Sequence, residues 1–282
     1  MISTTSNDME RKLLSIIIPA MNEAESIHEV LKMYSEDFRK EKIPFEIVVI
    51  NDVGTDNTSE VIQDLLPSIP ELRAFNRTGG KGYGSAVALG IDLARGDFII
   101  ISSADACNIS KDLITYYRTL EEGYDAVFGS RFIAGASVTG YPTFKYYVNR
   151  MANTALQFLF GFKFNDYTDG FKAYRKELLN QCKPFFSTKF NITIELSLKV
   201  MLLTNKIKQV PTKWFGRHWG SSKLSIVKVL RFYTASLLFV LGLRIIIQEF
   251  LQTARSRSNV TQIVPNDGRP ALPRQRESAL TS

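Results

Sequence analysis

A single carboxylate, Asp105, stands where the apolar run 99–101 gives way to Ser102, Ser103 and Ala104. Three more apolar runs end in polar clusters: Pro19-Ala20-Met21-Asn22-Glu23, Asn51-Asp52 and Asn76-Arg77. One acid at such a place is ordinarily a solvated loop residue or a helix cap. Cations follow farther along, with Arg131 after Gly129-Ser130, Lys172 and Arg175 in FKAYRK, and Arg217, Ser222 and Lys223 in GRHWGSSK. Arginine's planar fork matches phosphate oxygens, and lysine supplies a compact charge. Side chains of these types can handle a phosphate-bearing ligand, and Asp169 in YTDGF can orient a reactant, take a proton or simply structure the turn before Gly170. Gly79, Gly80, Gly82 and Gly84 lack the Gly-Lys-Ser/Thr ending of a P-loop, so their spacing fits close loop packing as well as phosphate binding.

The elements that must position these groups are legible from patterning. LLSIIIP from Leu13, FEIVVIN from Phe45, LRAFN from Leu72 and DFIIIS from Asp97 read as strands apolar on both faces. Helical patterns alternate with them. Asn22 with Glu25, and Asn57 with Glu60, have capping-box spacing, while Asp56 reads as a cap at its turn. Alternation of this kind predicts an α/β fold with a mostly parallel sheet, whose ligands bind at the carboxyl ends of the strands. The four polar clusters therefore converge on one edge. Helices are expected over 145–160 and 193–203, with a short strand over 207–212. Residues 226–251 are strongly apolar, yet the longest uncharged run, 232–243, is 12 residues between Arg231 and Arg244. A spanning helix needs about 20. This stretch suits an amphipathic helix lying on a membrane face or packing on the core, and the polar, arginine-bearing end reads as a disordered basic tail.

With 282 residues, 45% of them hydrophobic, the chain can bury a large core. A net charge of +7 favours acidic partners. Nucleic acid is not expected, since neither a helix-turn-helix nor an RNA-binding signature is present. Cys107 and Cys182 make no disulfide framework, and MISTTSNDMERK lacks the pattern of a secretory signal, so a cytosolic setting is expected.

Taken together, SIIIPAMNEAESI, VVINDVGTDNT, GKGYGSAVALG, the strand into Asp105, FGSRF and FKAYRK resemble the family 2 glycosyltransferases of GT-A fold. TDGFKAYRK, FNITIELSLK and GRHWGSSKL look most like the branch that moves a sugar from a nucleotide onto a polyprenyl phosphate, the dolichyl-phosphate mannose synthases among them. The resemblance implies a GT-A catalytic domain over 13–225, between a flexible start at 1–12 and an amphipathic membrane-associating segment at 226–252, with the basic tail at 253–282. It implies inverting transfer of a hexose, mannose or glucose, from a UDP- or GDP-sugar to a polyprenyl phosphate at the cytoplasmic face of a membrane, with peripheral attachment.

By the same resemblance, Pro19, Ala20, Asn22, Glu23, Asn51, Asp52, Gly82, Ala104 and Lys223 would contact the donor. Arg131, Lys172 and Ser222 would hold the acceptor phosphate. Asp105, Asp169 and Arg217 would be catalytic, with Asp105 holding Mg²⁺ or Mn²⁺. The chain departs from the family where Asn51 replaces an aspartate and where Ser103 replaces the first acid of Asp-x-Asp, leaving a neutral oxygen beside the metal. Transfer to a sugar hydroxyl or lipid headgroup, or a degenerate nucleotide-sugar-binding protein, are the alternatives these departures leave open.

Overall fold

The computed structural model describes residues 11–52, 54–78, 82–105, 109–161 and 163–216, together with Leu238 and Gly242. Four strands and three helices alternate first: β1 (Leu14–Ala20), α1 (Ile27–Lys40), β2 (Phe45–Asn51), α2 (Thr58–Leu65), β3 (Leu72–Asn76), α3 (Tyr83–Leu93) and β4 (Phe98–Ile101). Then come α4 (Ser110–Glu121), β5 (Ala126–Ser130), β6 (Ser137–Thr139), α5 (Thr143–Phe160), β7 (Lys172–Arg175), α6 (Lys176–Gln181), α7 (Ile192–Leu203), β8 (Ile207–Pro211) and β9 (Lys213–Phe215). The main sheet has the order β3-β2-β1-β4-β7-β5-β8, and β6 pairs with β9 alongside. Every pairing in the main sheet is parallel except those of β7, which runs antiparallel to β4 and β5.

Side chains alternate across a strand, so the isoleucine run of β1 feeds two cores at once. Ile16 and Ile18 pack with Val30, Leu31, Tyr34 and Phe38 of α1 and with Leu113 of α4. Ile17 faces the other way, among Val87 and Ile91 of α3 and Ile194 and Leu198 of α7. A Cβ on Gly90 would stand 2.4 Å from Cγ2 of Ile17, so this glycine sets how closely α3 lies on the sheet. Burial on both faces is what the unbroken apolar strands require.

The helix starts depart from the capping expectation at Asn22. Helix α1 begins at Ile27 with Ser26 at its cap position, because Asn22 adopts a φ of 55° that a helix start does not use. The chain makes an extra turn first, in which the amides of Ser26 and Ile27 both donate to Glu23 O. Asn57 does precede α2, yet its side chain makes no capping bond. Asp56 performs that task, accepting from the Thr58 amide at 3.1 Å.

Candidate active site

The β1–α1 and β2–α2 loops are stapled to each other. Asn22 Oδ1 accepts from the Thr55 amide at 2.6 Å, and its Nδ2 donates to Thr55 Oγ1 at 3.2 Å. A Cβ on Gly54 would stand 2.6 Å from Asn22 Oδ1 and would push that side chain off the Thr55 amide. Asp56 Oδ2 accepts from the Ala24 amide, and Thr58 Oγ1 accepts from the Glu23 amide. Pro19 and the buried Ala20 sit at the end of β1, where Ala20 O accepts the Asp52 amide at 2.7 Å.

Asp52 is 3% exposed and turned inward. Its Oδ1 accepts from Nε and Nη2 of Arg77, and its Oδ2 from the Gly82 amide at 2.6 Å. Arg77, from the polar cluster at the end of β3, thus lies on a carboxylate. Asn51 donates to Asn76 Oδ1 at 2.9 Å, while its own amide oxygen is buried without a hydrogen-bond donor among the described residues. That oxygen can take a donor from a ligand at the strand end.

Gly82 and Gly84 admit a neighbouring backbone. A Cβ at Gly82 would lie 2.2 Å from Thr188 O, and one at Gly84 would lie 2.2 Å from Ser187 O. The 187–189 segment therefore rests on the first turn of α3, where Ser85 donates its amide to Thr188 O. Lys189 comes with it, its Nζ 3.4 Å from the position of a Gly82 Cβ. Sequence reasoning passed over this cation.

At the end of β4, Ser103 Oγ donates to Asp105 Oδ1 at 2.6 Å, beside the buried Ala104. No group of three His, Cys, Asp or Glu side chains suited to a metal occurs among the described residues. Two hard oxygen donors side by side still fit Mg²⁺ or Mn²⁺, which keep waters and complete their shells with substrate phosphate.

The other half of the site is a buried charge cluster. Arg131 grips Asp166 through Nε–Oδ2 and Nη2–Oδ1 bonds of 2.8 Å each, and donates from Nη2 to Thr168 Oγ1 at 3.1 Å. Its side chain is 7% exposed and that of Asp166 wholly buried. Asp169 Oδ2 lies 3.7 Å from Arg131 Nε, buried and without a hydrogen-bond partner among the described residues. Lys172, also buried, donates to the carbonyls of Tyr167 and Asp169. Both cations, expected from sequence to face a phosphate openly, thus hold the 166–169 turn. Arg131 Nη1 makes no protein hydrogen bond among the described residues and is the nitrogen left for an outside acceptor.

Burial dominates the titration of this cluster. It pushes the Asp169 carboxyl above the usual range, against the pull of Arg131 and with the help of the neighbouring Asp166 charge. Asp166 feels the same burial, but the attraction and hydrogen bonds of Arg131 outweigh it and hold that carboxyl low. Lys172 is lowered by burial to about 8, despite both acids. The arrangement is an Asp166–Arg131 ion pair next to an Asp169 whose carboxyl is raised by burial.

Register explains which cations reach this place. In the antiparallel β4–β7 pairing, Lys172 lies opposite Ile101 at the carboxyl end of β4, and Arg175 lies opposite Phe98 at its start. Arg175 therefore lies away from Lys172 and donates to the carbonyls of Tyr124 and Leu120. Tyr83, Ile101, Asp169, Gly170, Ile192 and Thr193 line one small cleft, joining the end of β4, the Asp169 turn and the starts of α3 and α7. Glu195 pairs with a cation as its apolar setting suggests, meeting Lys199 at 2.7 Å. Arg217, Ser222 and Lys223, with Lys81 and Cys107, lie outside the described residues.

The model of the family described as glycosyl transferase family 2 matches residues 15–182, more than half the chain. The chain belongs to glycosyl transferase family 2. It is a glycosyltransferase with the GT-A fold. The polyprenol monophosphomannose synthase of Mycolicibacterium smegmatis is 27% identical to it over 216 residues, 74% of this chain and 80% of that protein. The dolichol-phosphate mannosyltransferase of Pyrococcus furiosus is 30% identical over 217 residues, 75% of this chain and 59% of its own length. Among solved structures, glucosyl-3-phosphoglycerate synthase from Mycobacterium tuberculosis, in complex with Mn²⁺, UDP and glucosyl-3-phosphoglycerate, superposes with a TM-score of 0.62. That likeness covers 82% of this chain and 80% of that one at 18% identity, and it is a likeness of fold.

Proposed function

We propose that this transferase moves a hexose, with mannose favoured, from a nucleotide sugar to a polyprenyl phosphate at the cytoplasmic face of a membrane. The observation that carries the reading is the buried Arg131–Asp166–Asp169–Lys172 cluster beside the end of β4. Two relatives named for mannose transfer to polyprenol or dolichol phosphate support the acceptor class. The donor base would sit at the ends of β1 and β2, where Asn51 offers its amide oxygen. Asp105, with Ser103, would hold a divalent cation, which when bound offsets charge on the departing diphosphate. Arg131 Nη1 would meet the acceptor phosphate from a guanidinium already fixed by Asp166.

A phosphate monoester is largely ionised near neutral pH and needs little help from a base. Asp169, whose carboxyl is raised by burial, would orient the acceptor and carry its residual proton. Displacement at the anomeric carbon would invert it, as the family resemblance implies. Attachment would be peripheral, through 226–252, whose longest uncharged run of 12 residues falls short of the roughly 20 that a spanning helix needs. The test incubates the full chain with UDP- and GDP-linked hexoses and polyprenyl phosphate vesicles, followed by lipid extraction. Label in the lipid phase that is lost in folded Asp105→Ala supports the reading. Label passing only to water-soluble sugars would replace the lipid acceptor by a sugar hydroxyl.

A further inference from the structure

Helix α1 buries a polar group that its packing does not require. Its inward face is Ile27, Val30, Leu31, Tyr34, Ser35 and Phe38, and Ser35 turns its hydroxyl back to Lys32 O of the same helix. Tyr34 is fully buried, in the core that also holds Ile18, Ile100 and Ala104. A phenyl ring would fill that space equally well, and a buried hydroxyl is costly unless it is paired. The Tyr34 hydroxyl meets Ser102 Oγ at 2.8 Å, and Ser102 is buried too. Ser102 also gives its amide to Ile17 O at 2.9 Å, one residue past the end of β4. Ser103 and Asp105 follow directly. Farther along the same helix, Asp37 Oδ2 accepts from Ser110 Oγ at the start of α4. Tyr34 and Asp37 are three residues apart and so share a helix face. One helix thus holds the chain on both sides of Asp105, at Ser102 and at Ser110.

We infer that Tyr34 and Asp37 are positioning residues for the divalent cation: by fixing Ser102 and Ser110 they set where the oxygens of Ser103 and Asp105 stand. The ligand set is thin. With one carboxylate, one hydroxyl and no group of three metal-binding side chains among the described residues, affinity depends on how well those two oxygens are held before the ion arrives. Ser103 Oγ donates to Asp105 Oδ1 at 2.6 Å, so the two move as a unit, and Ser102 ties that unit to β1 and α1 at once. Tyr34 and Asp37 act through the two serines, not as ligands. The inference rests on the reading of Ser103 and Asp105 as the metal site and adds residues from a helix that no motif connects with it.

The experiment measures Mn²⁺ binding to the full chain, without donor or acceptor, from the loss of the free-ion electron paramagnetic resonance signal at a temperature well below unfolding. Tyr34→Phe keeps the ring and is expected to weaken Mn²⁺ about fivefold, the factor that one net hydrogen bond is worth. Ser102→Ala should weaken it as much, and the two changes together no more than either alone, since both break one bond. Asp37→Ala should also weaken Mn²⁺, and Asp37→Asn, whose amide oxygen still accepts from Ser110, should recover most of the loss. Tyr117→Phe is the control for a lost buried phenol. Tyr117 donates to Lys12 O at 3.0 Å, beside the amino end of β1, so its variant should unfold at lower temperature yet bind Mn²⁺ as the parent does. Mn²⁺ binding unchanged in Tyr34→Phe or in Asp37→Ala overturns the inference, as do additive losses in the Tyr34→Phe, Ser102→Ala pair or an equal loss in Tyr117→Phe. Asp105→Ala separates the inference from the reading beneath it. If that variant binds Mn²⁺ as the parent does, or if the parent binds none, the metal site is misplaced and the inference goes with it. If Asp105→Ala loses the ion while Tyr34→Phe keeps it, the metal site stands and only the role given to α1 is refuted.

Discussion

Asp166→Asn tests whether the Arg131 cluster is held together as its geometry implies. The substitution keeps size and one acceptor but removes the charge that faces the guanidinium through two 2.8 Å bonds. Removing one partner of a buried pair costs about 3–5 kcal/mol, because the other charge is left in a poorly solvating place. Asp169, 3.7 Å from Arg131 Nε, would take over part of the pairing, so the lower end, about 3 kcal/mol, applies here. For a domain of this size that corresponds to a fall of roughly 6–12 °C in Tm. Asp169 loses a raising neighbour and gains a nearer claim on Arg131, so its carboxyl should drop toward the usual range. Thermal and urea unfolding measure the first effect, and the acid limb of the transfer pH profile reports the second. Arg131→Met combined with Asp166→Leu should cost less than Asp166→Asn alone, since no charge is then stranded. If Asp166→Asn unfolds within about 1 kcal/mol of the parent, or if the double variant is the worse of the two, the account of this cluster is wrong.

Three further outcomes follow from other parts of the site. Gly82→Ala would bring a Cβ to 2.2 Å from Thr188 O and force the 187–189 segment off α3, with a stability loss of about 3 kcal/mol and weaker nucleotide binding by calorimetry; unchanged binding and unfolding would mean that the segment moves freely. Ser103→Asp should shift the Mn²⁺ titration of transfer to lower concentration by restoring a second hard anion next to Asp105, and an unaltered titration would remove Ser103 from the metal's surroundings. Glu46 is buried, which by itself raises its carboxyl, yet bonds from Ser15, the Arg95 amide and Arg73 outweigh this and leave it below its ordinary value. Its stabilisation is therefore complete above pH of about 4.5 and disappears as pH falls through the lowered folded value; the acid loss of stability should be smaller in Glu46→Gln, as followed by urea unfolding between neutral and acid pH.

The first four strands were legible because parallel strands covered on both faces must be apolar throughout, and LSIIIPA and FEIVVIN leave few alternatives. Strand β7 was not, since KAYR is four residues long and mixes charge with aromatic character. Read as a motif, it placed Lys172 and Arg175 together, whereas a strand separates them by its length and the antiparallel register sends Arg175 to the other end of the sheet. Asn22 misled for a related reason. Its spacing from Glu25 fits a cap, but a positive φ is a property of the folded loop, imposed here by the approach of Thr55. Asp166 went unread because its partner is 35 residues away and its burial depends on α5 and β7 both arriving.

The two halves of the site are joined by packing that no motif announces. Lys199 Nζ donates to Cys182 O, Pro184 O and Glu195 Oε1, while Glu195 accepts the amides of Phe186 and Ser187. Those bonds fix the segment whose next carbonyls, from Ser187 to Lys189, rest on Gly82 and Gly84. The Gly82 amide in turn binds Asp52, which holds Arg77 at the end of β2. From the other side, Thr193 and Ile192 at the start of α7 line the same cleft as Asp169 and Gly170. A buried ion pair on an apolar helix is a costly device for stability alone, because desolvation offsets most of its attraction. Here its remaining donors and acceptors are spent on one loop, so the pair reads as a positional device: α7 sets the distance between the Gly82 loop, proposed as the donor end, and the Asp169 turn, proposed as the acceptor end. Transfer needs both ends held at one separation, and the glycines are what let the backbone come close enough to fix it.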